Sequence, residues 1–298
     1  MDNFLLLPRA LAAAVSDSGF AGAFGLVLAS LLLSNQSGLH LRLQRSTFYC
    51  AIGMLVAGIV QVYLATATMI GDAGVAAVRG QIMPVVLETH AGKLLLWDLI
   101  LTLILLLTLG VRRDWQRRST AWSLLAVLAA LSAARAATGH AAADGDFTLP
   151  EFVQVFHLIS IAVWAGSVLA GGFVVLPGML RAQRTGEISA FAGRLSRTVT
   201  FALAVVVLSG TYNSYRGLGG SLKPLAGTQW GILLDIKVLL VFAAVAMGAA
   251  NRRMLGKNRS LTVEQTSTLT TVLRVEAVTM LAILTVSAWL ANSPPATS

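Results

Sequence analysis

Cysteine is almost missing from this chain. A single thiol, Cys50, lies in an apolar run. One thiol closes no internal disulfide and builds no Cys-x-x-Cys metal motif, so a small membrane-buried apolar role is expected of it. Charge is scarce as well. Only 12% of the 298 residues are charged, against about 25% in a soluble globular domain. No Gly-rich phosphate loop ends in Lys-Ser/Thr, which argues against an ATP-driven pump. No Cys-x-x-Cys-His occurs, which excludes covalent haem attachment. The N-terminus shows no basic region followed by a short apolar core and a cleavage site, so no removable signal peptide is expected. What fills the chain is apolar: 56% of it is hydrophobic, with a mean hydropathy of +0.76. That composition defines a polytopic membrane protein.

A span needs about 20 mostly apolar residues. Eight stretches qualify: 12–34, 46–69, 85–109, 119–139, 152–177, 198–215, 229–250 and 270–291. Pro8 and Arg9 suggest a break ahead of the first. The fold class is therefore all-α, a bundle of eight transmembrane helices. The connections are short and leave no room for a soluble domain.

Fourteen Lys and Arg fall in alternate loops, after spans one, three, five and seven; only Arg9, Arg79, Arg216 and Lys223 lie on the other side. The positive-inside rule then puts both termini outside. The net charge of +9 is a topology signal and calls for no nucleic-acid partner.

Four bases (Lys93, Arg135, Lys237, Arg274) and five acids (Asp17, Glu88, Asp98, Asp235, Glu276) lie within spans. Each costs about 2.5–3.5 kcal/mol near a helix centre on insertion scales. Near balance suggests pairing inside the bundle. By depth, Lys237 pairs with Glu276 and Arg135 with Glu88. Such groups either hold helices together or line a transport path.

The halves 1–140 and 141–298 are alike. Thr89-His-Ala-Gly-Lys-Leu-Leu-Leu-Trp-Asp98 aligns with Thr228-Gln-Trp-Gly-Ile-Leu-Leu-Asp-Ile-Lys237, placing Asp98 opposite Lys237. Phe20-Ala-Gly22 aligns with Trp164-Ala-Gly166, and the stretch from Leu125 to Ser132 with that from Leu281 to Ser287. Four spans per half preserve orientation, which predicts a parallel duplication about an axis along the membrane normal, with sites where the halves meet.

The stretch from Pro150 to Pro177 carries His157 and, seven residues on, Trp164. Both side chains lie on one helical stripe, and an ionisable residue inside a membrane is a functional hypothesis by default. His90, His140 and His157 come from three spans at similar depth on one side, with Met69 and Met83 nearby. His40 reads as a solvated loop residue. Imidazole suits copper, zinc, iron and nickel, and thioether suits Cu(I). Two histidines across a bundle also suit b-type haem. Hydrogen bonding between helices is the plainer role for any one of them.

Thr138-Gly-His-Ala141 followed by Phe156-His-Leu-Ile-Ser-Ile-Ala-Val-Trp-Ala-Gly166 resembles the core signature of the CopD copper-resistance family. Ser209-Gly-Thr-Tyr-Asn213, the stretch from Gln229 to Lys237, Asn251-Arg-Arg253, Arg274-Val-Glu276 and Asn292-Ser-Pro-Pro295 follow in the family's order. Relatives often place a histidine after the Arg-Ala-Leu that here reads Arg9-Ala-Leu-Ala12.

The resemblance implies a non-enzymatic bacterial inner-membrane protein of copper handling, working with a periplasmic copper-binding protein of the CopC type. It places His140, His157, Lys237 and Glu276 on motif positions. The expected copper site near the periplasmic face has His140 and His157 as ligands, His90 as a third candidate, and Met69 or Met83 as weaker ones. Trp164 either limits water beneath His157 or packs on Gly166. Lys237 and Glu276 lock the bundle or gate a path. Two alternatives stand beside copper transport. One is a b-type haem or electron-transfer protein such as a copper reductase. The other is a non-transporting membrane partner of a periplasmic copper carrier.

Overall fold

The computed structural model describes residues 3–33, 38–111, 117–138, 147–182, 184–225, 227–257 and 262–293. These are helical, and among them eight helices are long and apolar enough to cross a membrane. In chain order the helices are α1 (Asn3–Leu32), α2 (His40–Ile70), α3 (Val75–Glu88), α4 (His90–Val111), α5 (Arg118–Ala137), α6 (Leu149–Leu169), α7 (Leu176–Arg181), α8 (Thr185–Gly217), α9 (Gln229–Lys257) and α10 (Val263–Asn292). A six-residue π-helical segment, Ala170–Val175, joins α6 to α7, so the two form one span.

Several boundaries differ from those expected. Pro8 lies inside an unbroken α1. The third span starts at His90, because residues 75–88 form a separate helix of 14 residues, α3, too short to cross a bilayer. The sixth span begins thirteen residues earlier than its apolar stretch, since α8 extends as a polar helix past the membrane-crossing part. His40 is buried at the start of α2 rather than solvated.

Two threonines start equivalent helices in the same way. The hydroxyl of Thr89 accepts from the Gly92 N–H at 2.9 Å, and that of Thr228 accepts from the Gly231 N–H at 3.0 Å. Each satisfies an amide that a helix start leaves without a partner.

Several helix contacts recur in the same order along the chain. α1 packs on α2 as α6 packs on α8; α2 on α4 as α8 on α9; α4 on α5 as α9 on α10. The lead helices α1 and α6 cross directly, and α1 packs on α10 as α6 packs on α5. The crossing is backbone to backbone. A Cβ at Gly25 would land on the Gly166 backbone, and one at Gly166 would land on the Ala21 carbonyl. Small residues permit such approach where helices associate without a hydrophobic driving force. The larger hydrophobic core lies around this crossing, including Phe24, Val27, Ala162, Ala165 and Val168.

Pro177 explains the π-helical segment. It supplies no N–H for the preceding turn, and a widened turn absorbs the lost bond. Gly172 within that turn lets α10 approach: a Cβ there would lie 3.0 Å from the Leu273 carbonyl oxygen.

Candidate functional site

His157 lies eight residues beyond the first residue of α6, about 12 Å along the helix. It is buried against α8. Its Nδ1 sits 2.8 Å from the Ser209 Oγ. That hydroxyl has one proton, which it donates to the Val205 carbonyl at 2.6 Å. The imidazole must therefore donate from Nδ1, leaving the lone pair on Nε2. Gly210 gives the ring its space, since a Cβ there would stand 3.2 Å from the His157 Cε1. One turn outward, Asn213 Nδ2 donates to Gln154 Oε1 at 2.7 Å. The α6–α8 interface thus carries two polar rungs.

Asp98 and Lys237 each lie eight residues into their helices, α4 and α9, at the depth of His157 on α6. Arg135, near the end of α5, reaches the same level from the opposite chain direction. Its Nε donates to Asp98 Oδ1 at 2.7 Å, its Nη1 to Asp17 Oδ1 at 3.2 Å and its Nη2 to Ser16 Oγ at 2.8 Å. The guanidinium also stands 4.7 Å from the centre of the Phe20 ring, a cation–π arrangement. Lys237 is within electrostatic reach of both Asp17 and His157. Two acids and two bases from α1, α4, α5 and α9 therefore share one layer with the imidazole, and their formal charges cancel.

Both expected ion pairs are corrected by this layer. Arg135 takes Asp98 and Asp17, while Glu88 is exposed at the end of α3. Glu276 is buried against Asn251, whose Nδ2 donates to its Oε2 at 3.5 Å, and among the described residues no ion pair joins it to Lys237. Helix rotation decides such partners, and depth alone did not reveal it.

The other candidate ligands are spread apart. His140 lies outside the described residues; the helices flanking it, α5 and α6, do pack together. His90 opens α4 and is exposed, as are Met83 on α3 and Met69 at the end of α2. α4 packs on α2, α3 and α5, whereas α6 packs on α1, α5, α8 and α10. Among the described residues no three His, Cys, Asp or Glu side chains converge as a metal-holding group. Of the candidate ligands that are described, His157 is the buried one, with its lone pair on Nε2.

Trp164 is buried two turns below His157 and lines a cavity of about 210 Å³ with Leu203, Val245, Gly248, Asn251 and Glu276. Sequence reasoning assigned no individual role to Ser209, Gln154, Asn213 or Asn251, and no partner to Asp17. A signal existed: Gln154 and His157, like Ser209 and Asn213, are polar residues one turn apart on otherwise apolar spans.

A polytopic helix bundle with a balanced layer of intramembrane charge beside a buried histidine is the class this geometry defines. Residues 4–149 match the family model described as "Copper resistance protein D-like, N-terminal domain", and residues 189–290 match "Copper resistance protein D". The chain belongs to the copper resistance protein D family of membrane proteins. It is 29% identical over 174 residues to "Inner membrane protein YebZ" of Escherichia coli (strain K12), covering 57% of this chain and 57% of that protein. The match thus spans little more than half of the relative's length. No solved structure matches the chain.

Proposed function

We propose that this multi-pass protein of the inner membrane binds copper at the end of the bundle where α4, α6 and α9 begin, and moves it across the membrane. The observation that carries the reading is the His157–Ser209 contact. It fixes the Nδ1–H tautomer and keeps Nε2 available, the arrangement metal-ligating histidines use. The family match supports copper as the cargo. The Arg-rich opposite end supports a periplasmic location for the His157 end. His140 completes the ligand pair, being placed after the end of α5, a direct neighbour of α6. A periplasmic copper-binding protein of the CopC type delivers the metal there.

Trp164 separates His157 from the cavity below and limits water between them. The layer formed by Asp17, Asp98, Arg135 and Lys237 holds the first half rigid against α6.

Copper uptake into proteoliposomes tests the reading. Wild type accumulates copper and His157→Ala does not. Zero flux by wild type with intact binding would support a membrane anchor for a periplasmic carrier. A Soret band in purified protein would support b-type haem.

A further inference from the structure

Glu276 stands in an unusual setting for a carboxylate. It is 2% exposed, on α10, and lines the cavity between α6, α8, α9 and α10. Most of that lining is apolar, including Trp164, Leu195, Leu203 and Val245. The carboxyl's hydrogen-bonding neighbour there is the amide of Asn251 on α9, itself 6% exposed. The Asn251 Nδ2 donates to Glu276 Oε2 at 3.5 Å. The Asn251 Oδ1 is buried and has no hydrogen-bond partner among the described residues. Gly248 lets the carboxyl lie against α9, as a Cβ there would meet the Glu276 Oε1 at 3.3 Å.

A buried amide oxygen without a donor costs about 1–3 kcal/mol, and native structures rarely tolerate it. A charged carboxylate beside it makes matters worse, because both groups are acceptors. One proton removes both difficulties. A carboxylic acid and an amide form a closed pair: the amide N–H donates to one carboxyl oxygen, and the acid O–H donates to the amide oxygen. The first of these bonds is already in place.

Among the described residues no base forms an ion pair with Glu276. Arg252 lines the same cavity but donates to Thr200 Oγ1 at 2.6 Å. Arg274, two residues away on α10, is exposed. α8 lines the cavity with Ser196 and Thr200, and α6 with Trp164 and Val168, none of them titratable. On α1, Asp17 belongs to the Arg135 layer. Lys237 lies fourteen residues before Asn251, about 21 Å along α9.

We propose that Glu276 and Asn251 form a proton-binding site, at which the second four-helix half takes up and releases one proton during the movement of its cargo. Uptake forms an O–H bond on Glu276 from a solvent proton. Release breaks it and returns the proton to water entering the cavity. The coupling clause rests on the copper-transport reading; the proton site does not.

Infrared difference spectra of the full-length protein in lipid bilayers, recorded from acidic to alkaline buffer, test the site. Wild type shows a protonated-carboxyl C=O band that disappears as pH rises. Glu276→Gln, which preserves shape and hydrogen-bonding capacity, lacks that band, and Asn251→Leu shifts it in frequency because the O–H loses its acceptor. Identical spectra for wild type and Glu276→Gln overturn the proposal, as does a band indifferent to Asn251→Leu. For coupling, Glu276→Gln retains copper binding, and its copper uptake no longer responds to an imposed pH gradient. A wild-type uptake indifferent to that gradient overturns the coupling. Loss of copper binding by wild type itself would count only against the copper reading, since the infrared band needs no copper.

Discussion

The Nδ1 of His157 rests 2.8 Å from the Oγ of Ser209, a hydroxyl whose own proton is committed to the Val205 carbonyl. A residue on α8 thereby decides which nitrogen of a histidine on α6 can act as a ligand. Ser209→Ala removes that constraint and leaves the imidazole in place. Copper affinity should fall by about 10- to 100-fold, the usual effect of losing such a supporting contact. Isothermal titration with copper checks this. An unchanged affinity would mean that the tautomer is not what Ser209 controls.

Arg135 neutralises two carboxylates from two other helices. Arg135→Leu leaves Asp98 buried and uncompensated, which costs about 3–5 kcal/mol. Thermal unfolding in detergent should show a strong loss of stability. Arg135→Leu combined with Asp98→Leu should recover much of it, because no lone charge remains near α4.

The rung between Gln154 and Asn213 gives a milder contrast. Asn213→Leu strands the Gln154 amide and should destabilise by about 1–3 kcal/mol, while replacing both by leucine should be nearly neutral. A double-mutant cycle by denaturant titration measures the coupling.

Gly25 and Gly166 meet backbone to backbone where the two halves cross. Gly166→Val forces α1 and α6 apart. Its cost should exceed the ~1–3 kcal/mol of ordinary overpacking, because the clash is with main chain. Loss of monodisperse protein on size exclusion is the expected readout.

The eight spans are legible in the sequence, because hydropathy acts along one chain. Thr89 and Thr228 were aligned by sequence and prove to start their helices with the same hydrogen bond. The partners of the buried charges were not legible. Arg135 and Glu88 seemed matched in depth, but which face of α5 meets α1 and α4 depends on helix rotation, to which a count of residues is blind. The same limit hid Ser209: its stretch was recognised as a unit, yet nothing local says that its hydroxyl meets an imidazole 52 residues away. The separation of α3 from α4 was hidden by an apolar run that continues across the Thr89 turn.

Ligation requires an unprotonated Nε2 on His157, so acid competes with copper for that lone pair. Binding should be complete at neutral to alkaline pH and weaken as pH falls. Copper binding measured across a pH series checks the sign; tighter binding in acid would contradict ligation by imidazole.

The central claim is that His157, with His140, holds copper at one end of this bundle. Copper stoichiometry of the purified double variant His140→Ala with His157→Ala tests it most directly. The account predicts that binding is abolished while the helical fold, followed by circular dichroism, is retained. Unchanged stoichiometry in the folded double variant would contradict it.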